Sequence, residues 1–297
     1  MKSTRFLIIS APRASGVRSV IEALEGSLFR VKQLDSIQAI VLAFVQGLTE
    51  FLPVSSSGHL ILLPRLLGWE DQGLAFDVMV HLGSLIAVLA YFRHDLVLIF
   101  RDVLASLKGG EHTEHSRLGW QVVLATLPVG LAGFFYGDII ESTLRNPRYI
   151  AWTMIVFALL LWWVDKNNKQ ARDLKMLNWR DILLIGCAQA LALMPGVSRS
   201  GMTITAGLLM GLNRDAAARF SFLMAIPVIL LAGGLKSMQL IGNGQPVDWG
   251  IMLLGVLVSA LVAFACIHWF LHFIRRFSMT PFAVYLAGLG VFILFLF

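Results

Sequence analysis

From Ile251 to Phe270 the chain runs twenty residues without an Asp, Glu, Lys or Arg. About twenty consecutive apolar residues is the length at which an α-helix crosses the hydrocarbon of a bilayer. A soluble core helix would rarely hold so long a charge-free run. Similar stretches fall at about 76–92, 119–136, 149–165, 218–235, 249–272 and 281–297, which predicts six full spans. Overall the 297 residues are 57% hydrophobic and 14% charged, against about 45–50% apolar and about 25% charged in soluble domains. The expected class is an all-α polytopic membrane protein.

Charge and cysteine content narrow the reading further. The net charge of +6 does not point to nucleic acid, because no basic run is interleaved with aromatics and membrane proteins keep Lys and Arg in cytoplasmic loops. Cys187 and Cys266 both sit in apolar segments and read as ordinary buried thiols rather than a disulfide or zinc site. Residues 1–35 stand apart as an N-terminal extension carrying Lys2, Arg5, Arg13, Arg18, Arg30 and Lys32. Val17, Ile21, Leu24 and Leu28 have the spacing of an interfacial amphipathic helix. A poorly ordered tail or an overextended start is the plainer expectation.

Two further segments, 37–68 and 180–211, are apolar but broken in the middle. Pro53 with Val54-Ser55-Ser56-Ser57-Gly58-His59 interrupts the first, and Pro195-Gly196 with Val197-Ser198-Arg199-Ser200-Gly201 the second. Proline and glycine would end one helix there and let another begin. Each half is then too short to span, so each segment is expected to be a re-entrant helical hairpin. Non-helical chain at membrane depth is tolerated only where it faces protein or a water-filled cavity.

The two clusters lie 143 residues apart (197 minus 54). At that offset Gln46, Leu48, Val54, Ser55, Ser57, Gly58, Ile61, Leu66 and Gly68 match Gln189, Leu191, Val197, Ser198, Ser200, Gly201, Ile204, Leu209 and Gly211. A duplication is implied, with one repeat over about 37–165 and the other over about 180–297 of a single membrane domain, 36–297. The 93–118 and 166–180 connections and the Arg275-Arg276 loop are rich in basic residues, which places them in the cytoplasm. The first hairpin then enters from the outer side and the second from the cytoplasm. Three spans per unit is odd, so the units must be inverted relative to one another. Inverted repeats with broken helices put a binding site near the midplane, at the repeat interface.

The residue types in the breaks suggest chemistry. Gln46 and Glu50, four apart, share a helical face, and a carboxylate at that depth can hold a hard divalent cation through oxygen or orient a base. Ser55, Ser56 and Ser57 stand where backbone N–H groups open a new helix, an anion site, and His59 can exchange protons near neutral pH. In the second cluster Arg199 offers a planar fork suited to phosphate oxygens, and Ser198, Ser200 and Thr203 add hydroxyls. Together these fit phosphoryl transfer, where positioning and charge stabilisation do most of the catalysis. Each feature has a plainer reading taken alone. Ser and Gly allow close helix packing, a lone His is often structural, and Glu50 could simply pair with Arg199. Their joint occurrence at repeated positions favours function. Asp77, His81 and Asp138 read as interfacial, and Trp162 and Trp163 as an aromatic anchor at the membrane surface.

The run Gln46-Gly47-Leu48-Thr49-Glu50-Phe51-Leu52-Pro53-Val54-Ser55-Ser56-Ser57-Gly58-His59, followed by Pro195-Gly196-Val197-Ser198-Arg199-Ser200-Gly201-Met202-Thr203, closely resembles the undecaprenyl-diphosphatase family, also called the bacitracin-resistance protein family. The resemblance extends over about 36–297 and includes Phe220-Ser221-Phe222-Leu223 and Pro281-Phe282-Ala283. It implies a bacterial inner-membrane hydrolase that converts undecaprenyl diphosphate to undecaprenyl phosphate and inorganic phosphate, recycling the lipid carrier for peptidoglycan. It also implies a divalent cation, magnesium or calcium, and a site open to the periplasm. The family's acidic motif begins with Glu or Gln, here Gln46, so Glu50 and Gln46 are the expected metal ligands, with substrate phosphates supplying the rest. The expected catalytic set is Glu50, Ser56, His59 and Arg199, with Ser55, Ser57, Ser198, Ser200 and Thr203 around the phosphates. Ser56 is the expected nucleophile with His59 assisting; attack by His59 or by water stays open. A transporter or flippase of a polyprenyl phosphate is the alternative from another class. The sequence allows a homodimer.

Overall fold

The computed structural model describes residues 34–143, 146–243 and 248–297. The expected N-terminal extension, up to residue 33, lies outside them, as does the side chain of Asp138. Among the described residues the chain forms eleven α-helices and no strands. These are α1 Ser36–Thr49, α2 Ser56–Leu67, α3 Gly73–Tyr91, α4 Arg93–Leu107, α5 Glu114–Thr143, α6 Pro147–Asn167, α7 Trp179–Leu191, α8 Arg199–Leu209, α9 Arg214–Asn243, α10 Trp249–Ile274 and α11 Thr280–Leu296.

Five helices contain stretches long and apolar enough to cross a membrane, those in α3, α5, α6, α9 and α10. The sixth expected span, α11, is apolar but has 17 residues and falls just short of that length. Phe134, Leu261 and Phe295 are 77%, 73% and 88% exposed. Apolar surface so open would be an aggregation hazard in water and is the ordinary exterior of a protein in lipid. The chain is a multi-pass membrane protein.

The two broken segments fold as paired short helices. At 1.5 Å per residue, the 14, 12, 13 and 11 residues of α1, α2, α7 and α8 reach only about 17–21 Å, against about 30 Å of hydrocarbon. α1 packs on α2, and α7 on α8. The breaks are built as the sequence predicts, around Pro53 and Pro195-Gly196. Gly196 has φ 90°, and a Cβ there would lie 2.6 Å from the Ile150 carbonyl of α6. No other residue type fits that turn. Both second helices open on a capping serine whose Oγ accepts an amide hydrogen three residues on: Gly58 N to Ser55 at 3.4 Å, and Gly201 N to Ser198 at 3.1 Å.

The tips of the hairpins meet. Ser200 Oγ donates to the Leu52 carbonyl at 2.8 Å, and Ser198 Oγ lies 3.5 Å from the same oxygen. Behind them a chain of buried rings, Phe51, Phe222, Phe270 and Phe282, makes successive contacts at centroid separations of 5.1, 5.8 and 5.2 Å. Around this centre α10 packs on α1 and α3, α5 on α7 and α9, α3 on α9, α6 on α8, and α6 on α11. The α3–α10 contact is particularly close. Ser259 Oγ donates to the Val80 carbonyl at 2.7 Å and lies 3.1 Å from Ser84 Oγ.

Three features differ from expectation. The 93–118 connection, expected as a loop, contains α4, where Phe92 and Lys108 cap an amphipathic turn sequence with Asp95 in the first turn. The charges at Arg93, Asp95, Arg101 and Asp102 mask its helical apolar spacing in the sequence. Cys187 is exposed, whereas Cys266 is buried and donates to the Leu48 carbonyl. Trp162 does carry Lys166 over its ring at 4.7 Å, but the neighbouring Asp165 is buried. It accepts from Arg214 Nε at 2.6 Å and from the Met279 amide at 2.9 Å, so it ties α6, α9 and the start of α11 together.

A Cβ on Gly83 would stand 2.5 Å from the Val256 carbonyl. Backbone of a packed helix cannot retreat as a flexible side chain can, and overpacking costs about 1–3 kcal/mol or more. Gly83→Leu is therefore expected to lower the melting temperature in detergent by several degrees. An unchanged melting curve would contradict the close α3–α10 packing.

Candidate active site

Glu50 follows directly on α1, where the helix ends before Pro53, and its carboxylate is the hub of the tip contact. Oε1 accepts from Arg199 Nη2 at 2.8 Å. Oε2 accepts from Gln46 Nε2 at 2.9 Å and from Ser56 Oγ at 2.8 Å. The Glu50 and Arg199 side chains are 7% and 15% exposed. A buried pair of this kind is costly to assemble, and removing one partner typically costs about 3–5 kcal/mol. Arg199 is fixed further by a bond from Nη1 to the Ser221 carbonyl of α9 at 3.2 Å.

Ser56 and Arg199 occupy equivalent places, each the first helical residue after its capping serine. The two hairpins thus share one local scaffold, with a hydroxyl in one and a guanidinium in the other. At the same offset Glu50 corresponds to Leu193 and His59 to Met202, so the two copies are chemically unlike.

Of the sequence-predicted residues, the structure brings Gln46, Glu50, Ser56 and Arg199 together. The other hydroxyls have different occupations. Ser55 caps α2 from a left-handed conformation, φ 65°, unusual for a residue other than glycine. Ser198 and Ser200, with hydroxyls 3.1 Å apart, join the second tip to Leu52. Thr203 donates to the Arg199 carbonyl at 2.9 Å and lies 2.7 Å from Ser221 Oγ. Ser57 is exposed on α2.

His59 is turned away from the carboxylate. Its Nδ1 bonds the Ser55 carbonyl at 2.8 Å, and a carbonyl only accepts, so that nitrogen carries the hydrogen. In the neutral ring Nε2 then accepts from the Tyr285 hydroxyl at 2.6 Å, and the two rings stack with 5.7 Å between centroids. Neither ring nitrogen bonds Ser56.

Three residues of the site escaped the sequence reading. His81, assigned to the interface, places Nε2 3.6 Å from Glu50 Oε2. The signal was its position four residues after Asp77, inside a span. Ser221 lies in a segment noted only for resemblance. Tyr285 is 226 residues from His59, and no local pattern marks it.

Gln46 tests the metal expectation. Its Nε2 is committed to Glu50, while its Oε1 is buried with no partner. A buried amide oxygen left unsatisfied costs about 1–3 kcal/mol, and a hard oxygen donor is what magnesium and calcium take. Among the described residues no three His, Cys, Asp or Glu side chains are grouped to hold a metal. The donor set therefore fits a cation only if ligand oxygens complete its shell.

Comparison with known proteins follows the same lines. The model of a family described as bacitracin resistance protein BacA matches residues 39–292. An undecaprenyl-diphosphatase of Nitrosococcus oceani is 56% identical over 264 residues, 89% of this chain and 100% of the relative. Undecaprenyl-diphosphatase 2 of Stutzerimonas stutzeri is 57% identical over 267 residues, 89% and 99% of the two chains. The undecaprenyl-diphosphatase of Thioalkalivibrio sulfidiphilus is 52% identical over 265 residues, 89% and 100%. On this match over most of its length, the chain belongs to the BacA bacitracin-resistance protein family.

Proposed function

We infer that this protein hydrolyses undecaprenyl diphosphate to undecaprenyl phosphate and inorganic phosphate, the activity for which its relatives are named. The observation that carries the mechanism is the Ser56–Glu50–Arg199 constellation at the junction of the hairpin tips. A hydroxyl bonded to a carboxylate is a nucleophile with its base in place. An arginine on the same carboxylate can turn its free donors to phosphate oxygens.

In this reading the diphosphate enters between the tips and its polyprenyl tail lies along the apolar exterior. Ser56 Oγ attacks the terminal phosphorus and its proton passes to Glu50. Undecaprenyl phosphate leaves with the bridging oxygen. Water then attacks the phosphoserine, releasing phosphate and restoring the hydroxyl. Glu50, not His59, is the proton acceptor that the hydrogen bonds favour. His59 holds the strained Ser55 turn that aims Ser56, and Tyr285 fixes its ring.

A divalent cation, magnesium or calcium, would be held by Glu50 and by the unpartnered Gln46 Oε1, with diphosphate oxygens completing the shell. Such an ion neutralises charge developing on the phosphoryl oxygens.

The packing pairs support the inverted repeat. α1 of the first unit lies on α10 of the second, and α7 of the second on α5 of the first. α3 on α9 and α6 on α11 are each a pairing of equivalent helices, as a twofold between the units requires. With the basic loops in the cytoplasm, the first hairpin enters from the outer side, and the site opens to the periplasm from the inner membrane.

In detergent micelles, where transport has no meaning, the purified protein is expected to release phosphate from undecaprenyl diphosphate; absence of release would favour a flippase. Arg199→Ala is expected to lower kcat/KM about 10²–10³-fold, as loss of a charge-stabilising group does. Near-normal turnover by that variant would overturn the assignment. Gln46→Leu is expected to raise the magnesium concentration for half-maximal rate about tenfold, measured as a titration after chelator treatment. An unchanged titration would remove Gln46 from the metal shell.

A further inference from the structure

A cavity between α4, α5 and α9 contains none of the residues gathered at the hairpin tips. It measures about 260 Å³ and is walled by the start of α4, the first two turns of α5, the turn Leu174–Met176 and one turn of α9. Pockets for drug-sized ligands run to about 300–1,000 Å³, so this one admits a headgroup rather than a whole lipid. Phe92, Ile99, Leu118 and Leu223 give it an apolar wall.

Its charged groups fall into two sets. Lys175 Nζ lies 2.7 Å from Glu114 Oε2. Arg219 Nε donates to Asp215 Oδ2 at 2.8 Å, and its guanidinium lies over the Phe92 ring at 5.8 Å. The other Asp215 oxygen accepts from Arg275 Nε at 2.8 Å, so one carboxylate serves two arginines. The second set is Asp95 and Arg117. Among the described residues neither side chain makes a hydrogen bond or an ion pair. An acid and a base thus line one cavity without reaching each other.

Helix α4 sets this cavity at a membrane surface. Ile99 and Val103 press on α5, where a Cβ on Gly119 would lie 2.8 and 2.5 Å from their Cγ2 atoms. On the opposite face Val97, Phe100, Leu104 and Leu107 are 66%, 67%, 42% and 64% exposed, with Arg93, Arg101 and Lys108 among them. An apolar helical stripe flanked by basic side chains is the pattern of a helix lying in the headgroup boundary.

We propose that the cavity binds the headgroup of a zwitterionic phospholipid, a phosphoethanolamine diester. Its phosphate faces Arg117, Lys175 and Arg219, its ammonium faces Asp95, and its acyl chains stay in the bilayer beside α4. Guanidinium and ammonium donors make strong, charge-assisted bonds to phosphate. A headgroup with phosphate alone would set a like charge near Asp95 and lose affinity by it. One that carries both signs satisfies both free residues at once. The exposed Lys175–Glu114 pair is weak enough to open for it.

The test is native mass spectrometry of the full chain in detergent, titrated with phosphatidylethanolamine or phosphatidylglycerol of the same acyl chains. Phosphatidylethanolamine is expected to bind about fivefold more tightly, the size of one exposed charge contact. Asp95→Asn should abolish that preference by weakening phosphatidylethanolamine alone, and Arg117→Gln should weaken both lipids about fivefold. Melting curves check that each variant folds, and Asp95→Ser replaces Asp95→Asn if that one does not. Equal affinity of the wild type for the two lipids overturns the proposal. So does a preference that survives loss of the Asp95 carboxylate. Soluble glycerophosphoethanolamine is the third arm: it should compete weakly with the lipid. If it binds and phosphatidylethanolamine does not, the occupant is a soluble zwitterion and the lipid assignment falls.

Discussion

The Glu50–Arg199 ion pair is the interaction on which the rest of the site depends. It joins residues 149 apart in sequence, and each sits where a helix has been deliberately broken. At that depth neither charge could be left alone, and neither half-helix reaches across the bilayer by itself. The pair is therefore both the seal between the hairpin tips and the reason that polar groups can gather there. Gln46 and Ser56 on Oε2 complete the carboxylate's shell, so its charge is spread over donors from both hairpins.

Backbone satisfaction explains the shape around that pair. Chain that stops being helical inside a membrane exposes carbonyls and amides that water cannot reach. Here the second hairpin supplies the missing partners for the first. The hydroxyls of Ser198 and Ser200 reach the Leu52 carbonyl, while Ser55 and Ser198 cap the helices that restart. Three of the hydroxyls that look like phosphate ligands in the sequence, those of Ser55, Ser198 and Ser200, are therefore spent on making the break possible. What remains open is narrow: Ser56, the exposed Ser57, the remaining donors of Arg199, and the amide oxygen of Gln46.

The two hairpins share a frame and differ in the polar residues they place on it. Two equivalent hairpins with equivalent caps give two first-helical positions aimed at one point, and a symmetric pair of residues there would be a poor catalyst. In the proposed reaction, serine in one hairpin and arginine in the other, with Glu50 at the position matched by Leu193, would serve as nucleophile, phosphate clamp and base. The histidines have other settings: His59, on the first hairpin, is tied to Tyr285, and His81 comes in on α3.

The linear pattern carried a great deal. Charge-free runs of bilayer length marked five of the six expected spans, and proline and glycine marked where the hairpins break, because each depends on neighbours within a few residues; the residue types Gln46, Glu50, Ser56 and Arg199 pointed to the chemistry proposed above. α4 was hidden because charge density resembled a loop. Which groups face one another was decided only by packing: His81 on Glu50, Tyr285 on His59, and Ser221 behind Arg199 are contacts between helices far apart in sequence. Period and composition specify which face of a helix is polar, not which helix will lie against it. That choice belongs to the close approach of α3, α9 and α10 around the tips, and it exists only once the chain has folded.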